Sequence, residues 1–137
     1  MNMFDVQDAK EEKYRKLLSE KLFVELKKKI EKCLLHKKKF KVWNYTAKQL
    51  AIDLNTNERY VTAVIRVAFH TNYSNLVNRY RVEEAKKLLA DSKNDSLNIE
   101  DIAAMAGFVS RSSFHSVFKK YVGITPLKYR ENINKDN

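Results

Sequence analysis

Turn-forming residues are scarce in this chain and lie close together, and this limits the folds open to it. The 137 residues include two glycines, Gly107 and Gly123, and one proline, Pro126, all within residues 107–130. A many-stranded β protein needs turn residues along its whole length. Lysine, leucine, glutamate and alanine, which favour helix, are plentiful. The sequence therefore predicts an all-α fold.

Length and composition narrow the class of protein further. The chain suffices for one ordinary domain or two small ones, and its apolar content of 44% is enough for a packed core. Its single cysteine, Cys33, excludes an internal disulfide and is typical of a reducing compartment. No apolar run approaches the roughly 18 residues of a membrane span, and the acidic start MNMFDVQDAK lacks the apolar centre of a secretion signal. We expect a cytoplasmic protein that does not enter a membrane.

The net charge of +10 is concentrated in one part of the chain. Residues 21–45 carry a net +7 and residues 46–90 a net +3, whereas residues 1–20 carry −1 and residues 91–137 carry +1. Such an excess indicates an anionic partner, nucleic acid more often than a membrane surface. Solubility alone is the alternative reading of the same charge.

The N-terminal region has the pattern of an amphipathic helix. Apolar residues recur every fourth position between about residues 8 and 36, with a break expected near Ser19. The members of this stripe are Tyr14, Leu18, Leu22, Leu26, Ile30 and Leu34. The stripe is interpreted either as part of the core or as the seam of a homodimer formed through the N-terminal helix.

Lysines and aromatic residues mark the end of this region. The lysines of residues 27–41 either extend a phosphate-binding surface or form a solvated helix face. The segment HKKKFKVWNY is interpreted as a connector whose Phe40, Trp43 and Tyr45 point inward.

Residues 46–69 have the pattern of a helix-turn-helix. Thr46 is a good N-cap, and Gln49 stands three residues later, as in a capping box. Asn55 tolerates the left-handed conformation of a sharp turn, and Asn57 can cap the second helix. The inward face of that helix is predicted to be Tyr60, Val61, Val64 and Ile65.

The pattern then repeats after a longer helix. Residues 74–90 predict this linking helix, and residues 98–122 predict a second helix-turn-helix. Gly107 stands where the first helix of the pair must turn, Ser110 can cap the next helix, and Gly123 can close it.

The second repeat carries a resemblance to a known family. The run IEDIAAMAGFVSRSSFHSVFKKYVGITPLKYR, residues 99–130, resembles the signature of the arabinose-regulator (AraC) family of transcription factors. The matching positions are Ile102, Ala103, Gly107, Phe108, Ser113, Phe114, Phe118, Lys119, Gly123, Thr125, Pro126, Tyr129 and Arg130. Residues 78–89 resemble the family's linking helix, and the whole resemblance covers residues 46–131.

The resemblance implies two helix-turn-helix subdomains joined by a long linking helix, with both recognition helices entering successive major grooves of double-stranded DNA. It divides the chain into an N-terminal helical, lysine-rich extension (1–45), a DNA-binding domain (46–133) and a tail (134–137). Two positions depart from the family: His70 stands where many members have glycine, and Ala63 where many have a longer polar side chain. The sugar-binding β-barrel that many members of the family carry is not evident in this sequence.

DNA-contacting candidates are the side chains left outside once each recognition helix has its core face. In the second helix, Phe114, Val117 and Phe118 are expected to point inward. The base-reading candidates there are Arg111, Ser112, His115 and Ser116. The guanidinium of Arg111 can pair with guanine O6 and N7, whereas His115 is alternatively a solvated side chain.

In the first recognition helix the outward candidates for base reading are Arg59, Thr62 and Ala63, and the resemblance implies that Arg59 and Thr62 are reading positions. Glu58 either accepts from cytosine or only complements the helix dipole. The expected phosphate contacts are Arg66, Lys119 and Lys120. Arg130 is expected to close the end of the domain rather than bind DNA.

Other classes of protein find less support. The sequence shows no glycine-rich phosphate loop, catalytic triad or metal-ligand spacing around His115, so we expect no enzyme activity, metal or cofactor. A protein-interaction module with mainly non-specific DNA binding remains the alternative function. In that case the N-terminal helix would pair two chains or dock on RNA polymerase.

Overall fold

The computed structural model describes residues 9 and 12–136, and all regular structure within them is helical. A short helical segment at residues 12–15 precedes the first long helix. The seven longer helices are α1 (Glu20–Glu31), α2 (Ala47–Asp53), α3 (Glu58–Phe69), α4 (Tyr73–Ala90), α5 (Ile99–Ala106), α6 (Arg111–Val122) and α7 (Pro126–Asp136). A π-helical turn, Lys32–His36, follows α1, and single 3-10 turns lie at Lys39–Lys41 and Ser92–Asn94. The all-α prediction is confirmed.

The helices belong to two compact units. The first unit contains the described residues up to Lys39 together with Asn44–Leu76. The second contains Phe40–Trp43 and the described residues from Val77 onward. The boundary between the units therefore falls within α4, which begins in the first and continues into the second.

Side-chain caps start the helices of the first unit where the sequence predicts them. The hydroxyl of Ser19 accepts from the backbone of Leu22 and begins α1 at the expected break. The hydroxyl of Thr46 accepts from the backbone of Gln49. The side chain of Gln49 donates to Asp53, 2.9 Å away, which ties the first turn of α2 to its last residue. Each cap supplies a partner for a backbone N–H that the helix leaves unpaired.

The turn between α2 and α3 has the predicted geometry. Asn55 is left-handed at φ 56°, and the side chain of Asn57 accepts from the backbone of Tyr60 at 2.9 Å. His70, at the glycine position of the resemblance, ends α3 with φ 56° and ψ 34°. The left-handed ending is thus formed without glycine, at the modest cost that such a conformation carries for an L-residue.

An aromatic chain fills the core of the second unit. Phe114 packs on Phe108 with ring centroids 4.9 Å apart and on Phe118 at 5.4 Å. Phe118 continues to Tyr129 on α7 at 5.5 Å. Phe114 and Phe118 are fully buried on α6, as the sequence predicts, so the opposite side of this helix is left for solvent or a partner.

The connector joins the second unit through an arginine of α4. The Arg81 side chain donates to the backbone carbonyls of Phe40 at 2.7 Å, Val42 at 3.2 Å and Trp43 at 3.5 Å. Sequence reasoning missed these long-range bonds. It was also wrong for Trp43, which is 61% exposed, although Phe40 is buried. Three carbonyls held by one guanidinium fix the backbone here and leave the indole outside.

An arginine also closes the end of the second unit. The Arg130 guanidinium donates to the carbonyl of Leu97 at 2.6 Å and to that of Asn94 at 3.3 Å. These bonds tie α7 to the loop before α5. The structural role that the sequence predicts for Arg130 is confirmed.

Candidate nucleic-acid interface

The second unit exposes the polar side of α6. Ser110 caps this helix by accepting from the backbone of Ser113 at 3.1 Å, and Gly107 and Gly123 are left-handed at φ 102° and 91°. Ser110 and Gly123 set where α6 begins and ends, whereas Gly107 ends the preceding helix, α5. All the candidate DNA-contacting residues on it are exposed, namely Arg111, Ser112, His115, Ser116, Lys119 and Lys120.

Arg111 has a partner that sequence reasoning did not find. Its Nη1 lies 3.9 Å from Oε1 of Glu100 on α5, and both side chains are more than 60% exposed. An ion pair this exposed contributes about 0–1 kcal/mol. Arg111 can therefore leave Glu100 for a phosphate or a guanine at small cost.

In the first unit, Glu58, Arg59 and Thr62 are exposed on the N-terminal half of α3. Glu58 lies in the first turn, where a carboxylate complements the helix dipole. The inward face contains Val61, Val64 and Ile65, all fully buried. These three polar side chains are thus exposed at the start of a well-packed helix.

The prediction that Ala63 reads bases is wrong. Ala63 is fully buried, because α3 packs against α1 as well as against α2. Helical periodicity indicates one inward face on α3, and the packing of α1 adds a second. A small side chain at position 63 is what such a close approach requires.

Arg66 is less accessible than expected for a phosphate contact. It is half-buried on α3, and its Nε is buried without a hydrogen bond to any described residue. Its contact with phosphate stays a prediction.

A groove borders the exposed N-terminal half of α3. It has a volume of about 370 Å³ and is lined by Glu58, Arg59 and Thr62 on one side. Lys13, Tyr14 and Leu17 line the other side. Sequence patterns do not indicate this neighbour, because residues 1–20 match no element of the resemblance and helical periodicity does not say where a segment packs.

A second cavity of the first unit is lined by lysines. It has a volume of about 510 Å³, and Lys29, Lys32, Lys37 and Lys39 surround it together with Asp53. Lys29, Lys32 and Lys37 form no ion pair with a described residue within 4.0 Å. The last turn of α1 favours cations through its dipole, but Lys37 and Lys39 lie beyond that helix. The cavity therefore holds a cationic surface that the helix end alone does not explain.

Asp53 at this cavity accepts hydrogen bonds from neighbouring side chains. Tyr45 donates its hydroxyl hydrogen to Asp53 at 2.5 Å, and the sulfur of Cys33 lies 3.4 Å from the same hydroxyl. Burial, followed by the bond to Asp53, raises the pKa of Tyr45 above its usual value. The bonds from Tyr45 and then Gln49 lower the pKa of Asp53. Each carboxylate oxygen of Asp53 thus already accepts one hydrogen bond from within the first unit.

The described residues contain no group of three or more His, Cys, Asp or Glu side chains placed to hold a metal ion. No helix among them is long and apolar enough to cross a membrane.

Comparison with known proteins identifies the family. The family model described as a helix-turn-helix domain matches residues 50–132, a span that contains α3, α4, α5 and α6. The chain belongs to the AraC-type helix-turn-helix family. The resemblance noted from the sequence is confirmed.

Curated relatives within this family are larger proteins. The chain is 31% identical over 88 residues to the raffinose operon transcriptional regulatory protein RafR of Pediococcus pentosaceus, covering 64% of this chain and 31% of the relative. It is 31% identical over 86 residues to the melibiose operon regulatory protein of Escherichia coli K12, covering 63% and 28%. The matched part thus spans about a third of each of these relatives.

Solved structures of the family share the fold. The C-terminal domain of the response regulator yesN from Fusobacterium nucleatum matches with a TM-score of 0.64 and 27% identity, covering 77% of this chain and 95% of that one. The C-terminal domain of AraT from Geobacillus stearothermophilus matches with a TM-score of 0.63 and 28% identity, covering 69% and 76%. The prediction of two helix-turn-helix subdomains is confirmed.

Proposed function

We propose that this protein is a sequence-specific, double-stranded-DNA-binding regulator of transcription. One observation carries the proposal: each unit presents a capped helix, α3 or α6, whose inner side chains are buried and whose N-terminal outer side chains are polar and exposed. The N-terminal part of a recognition helix is the part that meets base edges in the major groove. Family membership supports the same reading.

Within this proposal the outer side chains divide into two roles. Arg59 and Arg111 would pair with guanine edges, and hydroxyl or imidazole groups beside them would complete each half-element. Those neighbouring groups are Thr62 on α3 and Ser112, His115 and Ser116 on α6. Lys119 and Lys120 are exposed near the end of α6 and would hold phosphates together with Arg66. Phosphate contacts fix register and affinity but carry no sequence information.

We propose further that each recognition helix occupies its own major groove, in successive turns of one duplex. The lysine-lined cavity would add salt-dependent attraction to the phosphate backbone, because each neutralised phosphate releases counterions. A bipartite site follows, with half-elements about 10–10.5 base pairs apart from centre to centre.

Two protein partners are part of the proposal in different ways. Contact with RNA polymerase would follow from a role in transcription. Homodimerisation through the N-terminal helix would have little exposed apolar surface available, because Leu26, Ile30 and Leu34 are buried. Leu22 and Val24 remain 39% and 44% exposed, so any dimer contact by α1 would use these two. A regulator acts where the chromosome lies, and we propose a cytoplasmic location for that reason.

Selection of bound sequences from a random duplex pool tests the function. Wild-type protein at moderate salt is expected to enrich a bipartite motif. The charge-reversal variants Arg59→Glu and Arg111→Glu are expected to lose that enrichment. An unenriched wild-type pool would refute sequence-specific reading. Binding that survives both charge reversals would favour a protein-interaction module that holds DNA non-specifically.

A further inference from the structure

The reading side of α3 has a second wall made by the N-terminal turn, which we define as residues 12–17. Lys13, Tyr14 and Leu17 of this turn line the groove of about 370 Å³ whose other side is formed by Glu58, Arg59 and Thr62. Both walls belong to the first unit. A molecule that engages Arg59 from this side therefore also meets the N-terminal turn.

Local structure gives the turn a definite shape. The backbone N–H of Lys16 donates to the carbonyl of Glu12 at 3.2 Å, and that of Leu17 donates to the carbonyl of Tyr14 at 3.1 Å. Ser19 then starts α1. Tyr14 and Leu17 are half-buried, whereas Lys13 is exposed. The two apolar side chains position the turn, and the lysine is presented at the groove.

The sign of the charge on the N-terminal turn indicates whether the turn covers the DNA-contacting surface of α3 or forms part of it. A segment that covers a DNA-reading surface by imitating DNA needs acidic side chains. Glu12 is the one acidic residue of the turn, and it is paired with Lys16 at 3.5 Å. Lys13 forms no ion pair with a described residue within 4.0 Å. The charge left at the groove by the turn is therefore positive and complements a phosphate backbone.

We propose that the N-terminal turn is part of the DNA interface, with Lys13 contacting a backbone phosphate beside the bases that α3 reads. Tyr14 and Leu17 are positioning residues for this contact. The inference rests on the proposed DNA-binding function. It extends the interface to a segment outside the residues 50–132 that the family model matches.

The test compares three variants of the 137-residue chain on one duplex. Lys13→Gln removes the proposed contact, and Lys13→Arg retains the charge. Lys16→Gln is the matched control, since it makes the same charge change in the same turn at a lysine that does not line the groove. Affinity is measured by fluorescence anisotropy across a salt series, and the sequence motif of each variant is determined by selection from a random pool.

The proposal predicts that Lys13→Gln weakens binding about five- to tenfold and lowers the slope of log affinity against log salt by about one. Lys13→Arg should restore both, and Lys16→Gln should change affinity less than about twofold. The selected motif should not change, because a phosphate contact reads no bases.

Two results would overturn the proposal. Equal affinities and slopes for Lys13→Gln and Lys16→Gln would show that Lys13 does not touch DNA. Tighter binding by Lys13→Gln would show that the turn obstructs the interface. Failure of the proposed DNA-reading function would be recognised separately, because the wild-type protein would then enrich no sequence motif from the random pool. Weaker binding of Lys13→Gln to any duplex would support the phosphate contact even then.

Discussion

Replacing Gly107 by alanine is expected to destabilise the second unit more than the substitution of any exposed residue of that unit. Gly107 has φ 102°, a conformation that costs an L-residue about 1–2 kcal/mol. A Cβ at this position would lie 2.7 Å from Cα of Lys41 and 2.7 Å from the carbonyl oxygen of Phe40. Both are backbone atoms that Arg81 helps to hold, so they cannot move away freely. The clash should add about 1–3 kcal/mol, for a total of about 2–5 kcal/mol.

Gly123 provides the matched control in the same unit. Its φ is 91°, but a Cβ there would meet nothing within 4 Å. Gly123→Ala should therefore show only the conformational cost of about 1–2 kcal/mol. Urea unfolding of both variants, followed by circular dichroism, measures the difference. Equal destabilisation, or a milder effect at Gly107, would refute the argument that the connector backbone closes on this turn.

Three further outcomes are expected. Arg81→Met should destabilise the second unit by about 2–4 kcal/mol in urea unfolding, because several carbonyls lose a charged donor; a loss below about 1 kcal/mol would contradict this. Because the pKa of Asp53 is lowered in the folded protein, its ionised carboxylate stabilises the fold fully above the unfolded pKa of about 3.9. This stabilisation is lost as the pH falls through the pKa of the folded state. The stability gap between wild type and Tyr45→Phe should therefore narrow in thermal melts below about pH 4, and a constant gap would exclude the linkage. Replacing Lys32 and Lys37 together by Gln should lower the salt slope of DNA binding by up to about 2, and an unchanged slope would show that the cavity faces away from DNA.

Features that depend on a few neighbouring residues could be predicted from the sequence. Thr46, Asn57 and Ser110 each cap the next helix because a short polar side chain reaches the backbone N–H three residues on. Asn55 and Gly107 stand at left-handed turns that few residues tolerate. Such features can be predicted because the residues that form them lie within a few positions of one another in the sequence.

Features that depend on distant neighbours could not be predicted. Ala63 looked outward on a helical wheel, and only the packing of α1 on α3 shows why it is buried. Trp43 looked like a core residue, but the bonds from Arg81 fix its backbone and leave its ring exposed. The N-terminal turn has no periodicity that indicates a neighbour, so its place beside Arg59 emerges only from the fold.

Comparison of the motifs selected by Arg59→Ala and Arg111→Ala tests the central claim most directly. If α3 and α6 each read one half-element, each variant should lose base preference in a different half and keep the other half intact. The two losses should lie about one helical turn apart on the wild-type motif. Loss of preference in the same half by both variants, or in neither half by either, would contradict the account.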